Sequence, residues 1–182
     1  RRLLEFAFEH AVATGRKKVS IVHKANIMKA LTGIFLETGL DLYERQFKGR
    51  FELDTVIIDA CAMKLVLNPW QFDMLVTTNL FGDILSDLVA GLVGGLGMAP
   101  GANIGIDAAI FEAVHGSAPD IAGQDKANPT ALLLAAALVG LTLTIRRRRG
   151  LASTPLQGDE AERVRRLLGE ELKMPHIATW WC

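Results

Sequence analysis

Asn79-Leu80-Phe81-Gly82-Asp83-Ile84-Leu85-Ser86-Asp87 leads without a break into the glycine-rich run Gly94-Gly95-Leu96-Gly97-Met98-Ala99-Pro100. A helix that begins at Asn79 and ends near Val93 places Asp83 and Asp87 on one face, with Cβ atoms about 5–6 Å apart. Like charges at this spacing destabilise a helix by about 0.2–0.5 kcal/mol, and a divalent cation bound by both carboxylates removes that repulsion. The pair is therefore a candidate metal site. Alternatively, Asp83 favours the positive end of the helix dipole and Asp87 is a solvated charge.

The composition is that of a folded protein without an electrostatic partner. A length of 182 residues, half of them hydrophobic, suits one domain, or one domain and a fragment of another. Lys+Arg and Asp+Glu both total 20, so net charge attracts neither nucleic acid nor an anionic membrane, and we expect neither as a partner. Cys61 and Cys182 are far apart, which favours a reducing compartment. The chain starts without Met inside a helical pattern, so we expect an amino-terminal portion to be missing.

Hydrophobic spacing alternates between helix and strand along the first half of the chain. Helical spacing occupies residues 1–14, ended by Gly15, residues 26–38, ended by Gly39, and residues 60–67. Short β-branched or apolar runs that predict buried strands occupy residues 19–23, 53–58 and 72–77. This alternation predicts an α/β layered domain in which ligands gather at the carboxyl ends of the strands.

The second half is less regular. Residues 94–105 are too rich in Gly for a predicted helix or strand, whereas residues 106–114 predict a strand. The apolar run 131–145 is shorter than the ~18–20 residues that cross a bilayer, which favours a buried helix over a membrane span. After Gly140 the arginine-rich run and the polar stretch that follows differ from what precedes, so we predict a domain over residues 1–140 and an atypical linker and tail over 141–182.

Two charged residues follow predicted strands. Lys24 comes just after the first strand, where a lysine beside carboxylates and a metal could transfer protons; the alternative is a surface lysine at a helix start. Asp59 follows the second strand and is either a third metal ligand or the cap of a helix that begins at Ala60.

The loop His115-Gly116-Ser117-Ala118-Pro119-Asp120 is the candidate nucleotide site. His115 could contact a base, and Asp120 could accept hydrogen bonds from ribose hydroxyls while repelling a 2′-phosphate. Alternatively, His115 is an ordinary loop histidine and Asp120 a turn former after Pro119. The Rossmann pattern G-x-G-x-x-G is absent from the sequence, so a dinucleotide would be bound in another way. Cys61 has no adjacent base to activate it and is interpreted as a core residue.

Several long motifs, in order, resemble the isocitrate/isopropylmalate dehydrogenase family. The resemblance covers about residues 1–140, and its motifs are Gly15-Arg16-Lys17-Lys18-Val19, His23-Lys24-Ala25-Asn26-Ile27-Met28, Asp59-Ala60, residues 79–87, Gly94-Gly95-Leu96-Gly97, residues 115–123 and Ala127-Asn128-Pro129. It implies the α/β fold of the isopropylmalate dehydrogenases and an enzyme that decarboxylates a 2-hydroxy acid oxidatively, with NAD as hydride acceptor and Mg²⁺ or Mn²⁺ as metal.

The resemblance also implies roles for individual residues. Asp59, Asp83 and Asp87 would hold the metal against the substrate, with Lys24 and Asp59 as catalytic residues and Asn26 near substrate and nicotinamide. The adenosine would be bound by residues of the 115–121 loop and by Asn128. These cofactor-binding residues are His115, Gly116, Ala118, Asp120, Ile121 and Asn128. Asp120 is typical of NAD users, since NADP users tend to carry basic residues there.

Family members are dimers with shared active sites, so a homodimer is expected, with Lys24 and Asp59 reaching the Asp83/Asp87 side of the partner. The location implied is the bacterial cytoplasm, or the mitochondrial matrix in a eukaryote. The substrate implied is a 2-hydroxy di- or tricarboxylate. Isocitrate is favoured over homoisocitrate or 3-isopropylmalate, because the sequences of residues 94–105 and 125–132 resemble NAD-dependent isocitrate dehydrogenases more than isopropylmalate dehydrogenases.

Two departures from the family bear on activity. Family enzymes are about twice as long, and their substrate-clamping arginines and catalytic tyrosine precede the part that matches Arg1, so we expect little or no turnover from this chain alone. The segment after Gly140 suggests a truncated or frame-shifted end. The alternative function is a non-catalytic regulatory-type or remnant subunit of the same family, although retention of all three aspartates favours descent from a catalytic chain.

Overall fold

The computed structural model describes residues 1–105, 108–148 and 180–181. The chain divides into two compact units, Arg1–Val89 with Pro175–Cys182, and Ala90–Met174. Within the described residues, no helix is both long and apolar enough to span a membrane.

The first unit is built on a parallel sheet of three strands. Its elements are α1 (Arg2–Thr14), β1 (Lys18–His23), a π-helical turn (Lys29–Gly33), α2 (Ile34–Leu42), a second π-helical turn (Tyr43–Phe47), β2 (Glu52–Ile57), α3 (Ile58–Leu67), a 3-10 turn (Pro69–Gln71), β3 (Met74–Val76) and α4 (Asn79–Leu92). The strand order is β2-β1-β3, with Val19 opposite Leu53 on one side and Met74 on the other. The predicted α/β class and three strands are confirmed.

Helices cover both faces of this sheet because successive side chains of a strand point to opposite sides. On one face, Val19 and Ile21 of β1 pack with apolar residues of α1 such as Phe8. On the other face, Val22 packs with Leu65 of α3 and with Leu85 of α4. Each of these helices therefore buries one face against the sheet and leaves the opposite face in contact with solvent.

Gly39 lies inside α2, so the predicted helix end at this residue is wrong. A Cβ atom at Gly39 would lie 2.5 Å from Cδ1 of Ile21 and 3.3 Å from Cδ2 of Leu4. The glycine is thus needed for close packing of α2 against β1 and α1. Gly15, by contrast, ends α1 as predicted, with φ of 70° in the left-handed region that glycine favours.

The second unit contains a hairpin and a long helix. Its elements are a 3-10 turn (Leu96–Met98), β4 (Pro100–Ile104), β5 (Ala109–Ala113), a 3-10 turn (Pro119–Ile121) and α5 (Thr130–Arg148). The strands are antiparallel, with Ala102 opposite Phe111. The prediction of no helix or strand in residues 94–105 is wrong, because main-chain pairing with β5 stabilises a strand there whatever the side-chain pattern.

The predicted helix over residues 131–145 is confirmed, but it is not buried all round. Ala131 and Ala135 are buried, whereas Leu132 and Leu133 are exposed. The helix continues through Gly140. The domain boundary at residue 140 stays a prediction. Most of the predicted tail, residues 149–179 and 182, lies outside the described residues. Within that tail, Trp180–Trp181 forms a two-residue strand, β6.

Candidate functional site

The carboxyl edge of the parallel sheet brings two of the predicted catalytic residues together. β1 and β2 run side by side, so that His23 is opposite Ile57 at their ends. Lys24 follows β1, and Asp59 lies in the first turn of α3, directly after β2. The Lys24 ammonium group donates a hydrogen bond to Oδ1 of Asp59. Parallel pairing therefore joins two residues that are 35 positions apart in the chain.

The two partners differ in their contact with solvent. The Lys24 side chain is 21% exposed and that of Asp59 is 68% exposed. The hydrogen bond from Lys24 lowers the pKa of Asp59 below its ordinary value, with a smaller contribution from the main chain of Asp59 itself. Asp59 is thus an anion at neutral pH that faces solvent.

The structure contradicts the helix-cap alternative for Asp59 and disfavours the surface alternative for Lys24. The helix begins at Ile58 and its cap, Ile57, makes no side-chain hydrogen bond, so Asp59 does not cap a helix starting at Ala60. Lys24 is mostly buried and ion-paired, which is not the environment of an ordinary surface lysine.

The main chain around Lys24 is bonded on both sides. Its N–H donates to Oγ1 of Thr32 at 3.0 Å, and its carbonyl accepts from the N–H groups of Ile27 at 3.0 Å and Met28 at 2.8 Å. Asn26 lies on this turn and is exposed. The sequence pattern did not predict a role for Thr32, since a threonine within an apolar helical stripe carries no recognisable signal.

Asp83 and Asp87 lie on the solvent side of α4, which confirms the predicted helix. The helix buries Phe81 and Leu85, and both aspartates are exposed. Leu80 and Ile84 share this outer side with them, and are 61% and 55% exposed. Large apolar side chains beside two carboxylates are unusual for a purely solvated face.

The three predicted metal ligands do not meet within one chain. Across residues 1–105, 108–148 and 180–181, no group of three His, Cys, Asp or Glu side chains is arranged to hold a metal ion. Asp59 therefore does not complete a site with Asp83 and Asp87 of its own chain. The metal assignment itself stays a prediction.

The candidate nucleotide loop is exposed throughout residues 115–120. Nδ1 of His115 lies 2.9 Å from the carbonyl oxygen of Gly116, and Ala118 adopts the left-handed region with φ of 44°. Asp120 and Ile121 form the 3-10 turn after it. The Asp120 carbonyl accepts a hydrogen bond from Nε2 of Gln124 at 2.8 Å, and the residue as a whole is exposed.

Asn128 stabilises the start of α5. Its Oδ1 accepts hydrogen bonds from N of Thr130 at 3.0 Å and Oγ1 of Thr130 at 2.6 Å. Its Nδ2 contacts Sδ of Met98 at 3.3 Å. An amide carries two N–H donors, so one remains for a ligand.

Cys61 is confirmed as a core residue. It is fully buried, and this burial raises the pKa of its thiol to about 11. A thiol with so high a pKa holds little thiolate at neutral pH, which excludes it as a nucleophile.

The chain resembles known proteins over most of its length. The sequence profile of the family described as isocitrate/isopropylmalate dehydrogenase matches residues 1–146. The chain belongs to this family. A homoisocitrate dehydrogenase of Methanocaldococcus jannaschii is 51% identical over 138 residues, which are 76% of this chain and 39% of that protein.

Two further relatives extend the comparison. A regulatory subunit of the mitochondrial NAD isocitrate dehydrogenase of Dictyostelium discoideum is 52% identical over 139 residues, 76% of this chain and 39% of that protein. The crystal structure of an isocitrate dehydrogenase from Methylococcus capsulatus superposes with a TM-score of 0.74 and 49% identity, covering 92% of this chain and 44% of that one. The chain thus spans less than half the length of each of these proteins.

Proposed function

We propose that this chain carries part of the active site of an NAD-dependent dehydrogenase that oxidatively decarboxylates a 2-hydroxy acid. The observation that supports this most directly is the Lys24–Asp59 pair at the carboxyl edge of the parallel sheet. Edges of this kind collect ligands in α/β proteins. The family match covers both residues.

The donor chemistry fits a hard divalent cation. Asp59, Asp83 and Asp87 offer only carboxylate oxygens, the ligands that Mg²⁺ and Mn²⁺ prefer. When bound, such an ion would acidify the substrate hydroxyl and stabilise the negative charge that develops as carbon dioxide leaves. Asp59 is held ionised by Lys24, as a metal ligand must be.

Lys24 is the group suited to proton transfer. Its ammonium is mostly shielded from solvent and is aimed at Asp59. A lysine ammonium beside a substrate can donate a proton to a developing carbanion, and the amine that remains can take up a proton again. Asn26, exposed on the next turn, is placed by our proposal against substrate and nicotinamide.

NAD is the proposed hydride acceptor, because one of the relatives is named for it. Its adenosine would lie against His115, Gly116, Ala118 and Ile121, with Asn128 beside them. The exposed Asp120 carboxylate would accept hydrogen bonds from the ribose hydroxyls and would repel the 2′-phosphate of NADP. NAD supplies the electron sink, while these residues only bind and orient it.

The proposed assembly is a homodimer with shared sites. Within the described residues Asp59 does not reach the Asp83/Asp87 pair, so a complete carboxylate set needs a second copy. The outer side of α3 and the segment after it expose Met63, Leu67 and Trp70, at 56%, 74% and 66%. These apolar side chains, with Leu80 and Ile84, suit burial against another chain.

A manganese titration of the 182-residue chain tests the site without requiring turnover. We expect Mn²⁺ binding, followed by isothermal calorimetry, to weaken at least tenfold in Asp83→Asn, as for a lost charged ligand. Asp41→Asn is the matched control, because Asp41 is an exposed helical aspartate that forms a surface ion pair with Arg45. Equal affinities in the parent, Asp83→Asn and Asp41→Asn would remove the metal from the proposal.

The substrate is the least constrained part, and isocitrate remains favoured over homoisocitrate and 3-isopropylmalate. Assaying the three acids with NAD or NADP and Mg²⁺ would rank them. We propose that this chain alone turns over little of any of them. Robust turnover by the isolated chain would contradict this.

A regulatory-type subunit is the second candidate, because a protein named as a regulatory subunit is 52% identical to this chain. In that case Asp83→Asn should leave Mn²⁺ binding unchanged while the dimer persists. The relative's mitochondrial name supports the mitochondrial matrix as the location in a eukaryote, and the bacterial cytoplasm is the counterpart in a bacterium.

A further inference from the structure

We propose that Thr32 and His23 are positioning residues that hold the main chain at Lys24 and Ala25, and so direct the Lys24 ammonium to Asp59. This inference rests on the proposed role of Lys24. Neither Thr32 nor His23 would touch substrate, metal or NAD.

The Thr32 hydroxyl makes the first of the side-chain contacts that hold this main chain. The residue is 1% exposed, within the π-helical turn Lys29–Gly33. Its Oγ1 accepts the Lys24 N–H at 3.0 Å and donates to the Met28 carbonyl at 3.1 Å. Both functions of the hydroxyl are therefore used, one on each side of the turn.

Burial of a hydroxyl is unfavourable, because the polar group loses its contacts with water. Valine has nearly the same shape and would fill the space without desolvating a polar group. The main chain explains the hydroxyl, because Lys24 follows the end of β1 and, among the residues that the structure describes, its N–H donates to Thr32 and to no main-chain carbonyl. A partly buried N–H without a partner destabilises the fold.

The His23 ring makes the second of these side-chain contacts. It is 9% exposed, and its Nδ1 accepts the N–H of Ala25 at 3.1 Å. Only a ring with unprotonated Nδ1 can accept this bond. Burial lowers the pKa of His23, which favours that neutral ring.

Together these bonds fix the peptides on either side of the Lys24 Cα. The N–H groups of Lys24 and Ala25 are held by Thr32 and His23, and the Lys24 carbonyl is held by Ile27 and Met28. The root of a four-carbon side chain is thereby fixed. Fewer conformations remain in which its ammonium misses Asp59, which is how a supporting residue pre-organises a reactive group.

The test uses the 182-residue chain and the variants Thr32→Val, Thr32→Ser and Thr38→Val. Thr38→Val is the matched control, since the Thr38 hydroxyl also donates to a carbonyl four residues earlier, that of Ile34, but has no bond to Lys24. Two rates are measured. One is hydrogen exchange of the Lys24 amide. The other is acetylation of Lys24, relative to Lys64, in which the deprotonated side-chain amine attacks an N-hydroxysuccinimide ester and N-hydroxysuccinimide leaves.

We expect Thr32→Val to raise both rates about fivefold, the effect of one ordinary hydrogen bond. Thr32→Ser, which restores the hydroxyl, and Thr38→Val should both keep the parent rates. Unchanged rates in folded Thr32→Val would overturn the proposal. So would a Thr32→Ser variant that behaves like Thr32→Val, because the methyl packing would then be responsible.

A second pair of variants covers the case in which Thr32→Val does not fold. His23→Asn keeps an acceptor at the position of Nδ1, whereas His23→Leu removes it. The exchange rate of the Ala25 amide should rise about fivefold in His23→Leu only. Equal exchange rates in both variants would refute the positioning role of His23. None of these readouts requires turnover, metal or NAD, so loss of the dehydrogenase proposal through the Mn²⁺ titration would be a separate result.

Discussion

Replacing Asp73 by Ala should destabilise the first unit, because this carboxylate joins the start of β1 to the start of β3. Oδ1 accepts a hydrogen bond from Nη1 of Arg16 at 3.0 Å. Oδ2 accepts from the N–H of Lys17 at 2.7 Å and, more weakly, from that of Lys18 at 3.3 Å. The Arg16 and Asp73 side chains are 17% and 31% exposed.

The expected loss follows from these contacts. Hydrogen bonds to a charged group contribute about 1.5–3 kcal/mol each when shielded, and partial exposure reduces this. Two effective bonds then give about 2–3 kcal/mol. Asp41→Ala is the control, because the Asp41–Arg45 pair is 55% and 74% exposed, and exposed pairs contribute at most about 1 kcal/mol.

The same carboxylate gives a pH dependence of known sign. Burial raises the pKa of Asp73, but the hydrogen bonds from Lys17, Arg16 and Lys18 outweigh it and leave the pKa below the ordinary 3.8. A group with a lowered folded-state pKa stabilises the fold above its unfolded pKa and loses this effect as the pH falls through the folded value. The stability difference between parent and Asp73→Ala should thus be constant near neutrality and shrink below pH of about 4.

Urea unfolding, followed by resolved amide signals of β1, measures the first unit by itself. The stabilising role of the Asp73 carboxylate is refuted if Asp73→Ala loses no more stability than Asp41→Ala. It is refuted as well if the difference between the parent and Asp73→Ala persists undiminished at pH 2.

Three further substitutions test the core and the Lys24–Asp59 pair. Ser20→Ala should stabilise the fold by up to about 1 kcal/mol in urea unfolding, because the buried Ser20 hydroxyl has no hydrogen-bond partner within the described part of the chain; a loss of stability would show that the hydroxyl is hydrogen-bonded. Gly39→Ala should destabilise it by about 1–3 kcal/mol, since the new methyl group would meet Ile21; a stabilised variant would show that helix propensity outweighs this contact. Lys24→Met should raise the pKa of Asp59 towards 3.8, followed by ¹³C NMR of the carboxyl group; an unchanged pKa would contradict the ion pair.

The sequence alone determined the elements whose signals are local. The helical spacing before Gly15 and the short apolar runs of β1, β2 and β3 follow from periodicity and backbone preference, and these are properties of neighbouring residues. Parallel pairing then placed Lys24 and Asp59 at the same edge of the sheet. The family motifs contain the same two residues, so the motifs and the sheet topology indicate one location.

The tertiary structure alone decided what depends on distant contacts. Gly39 reads as a helix stop, but contact with Ile21 makes it a packing position. Thr32 reads as part of an apolar stripe, but its hydroxyl serves a lysine eight residues earlier. Asp73 reads as part of the third predicted strand, but its carboxylate binds the segment that begins at Arg16. The reason is physical: a hydrogen bond or a steric contact depends on where the chain returns in space, and local residue patterns carry no information about that return.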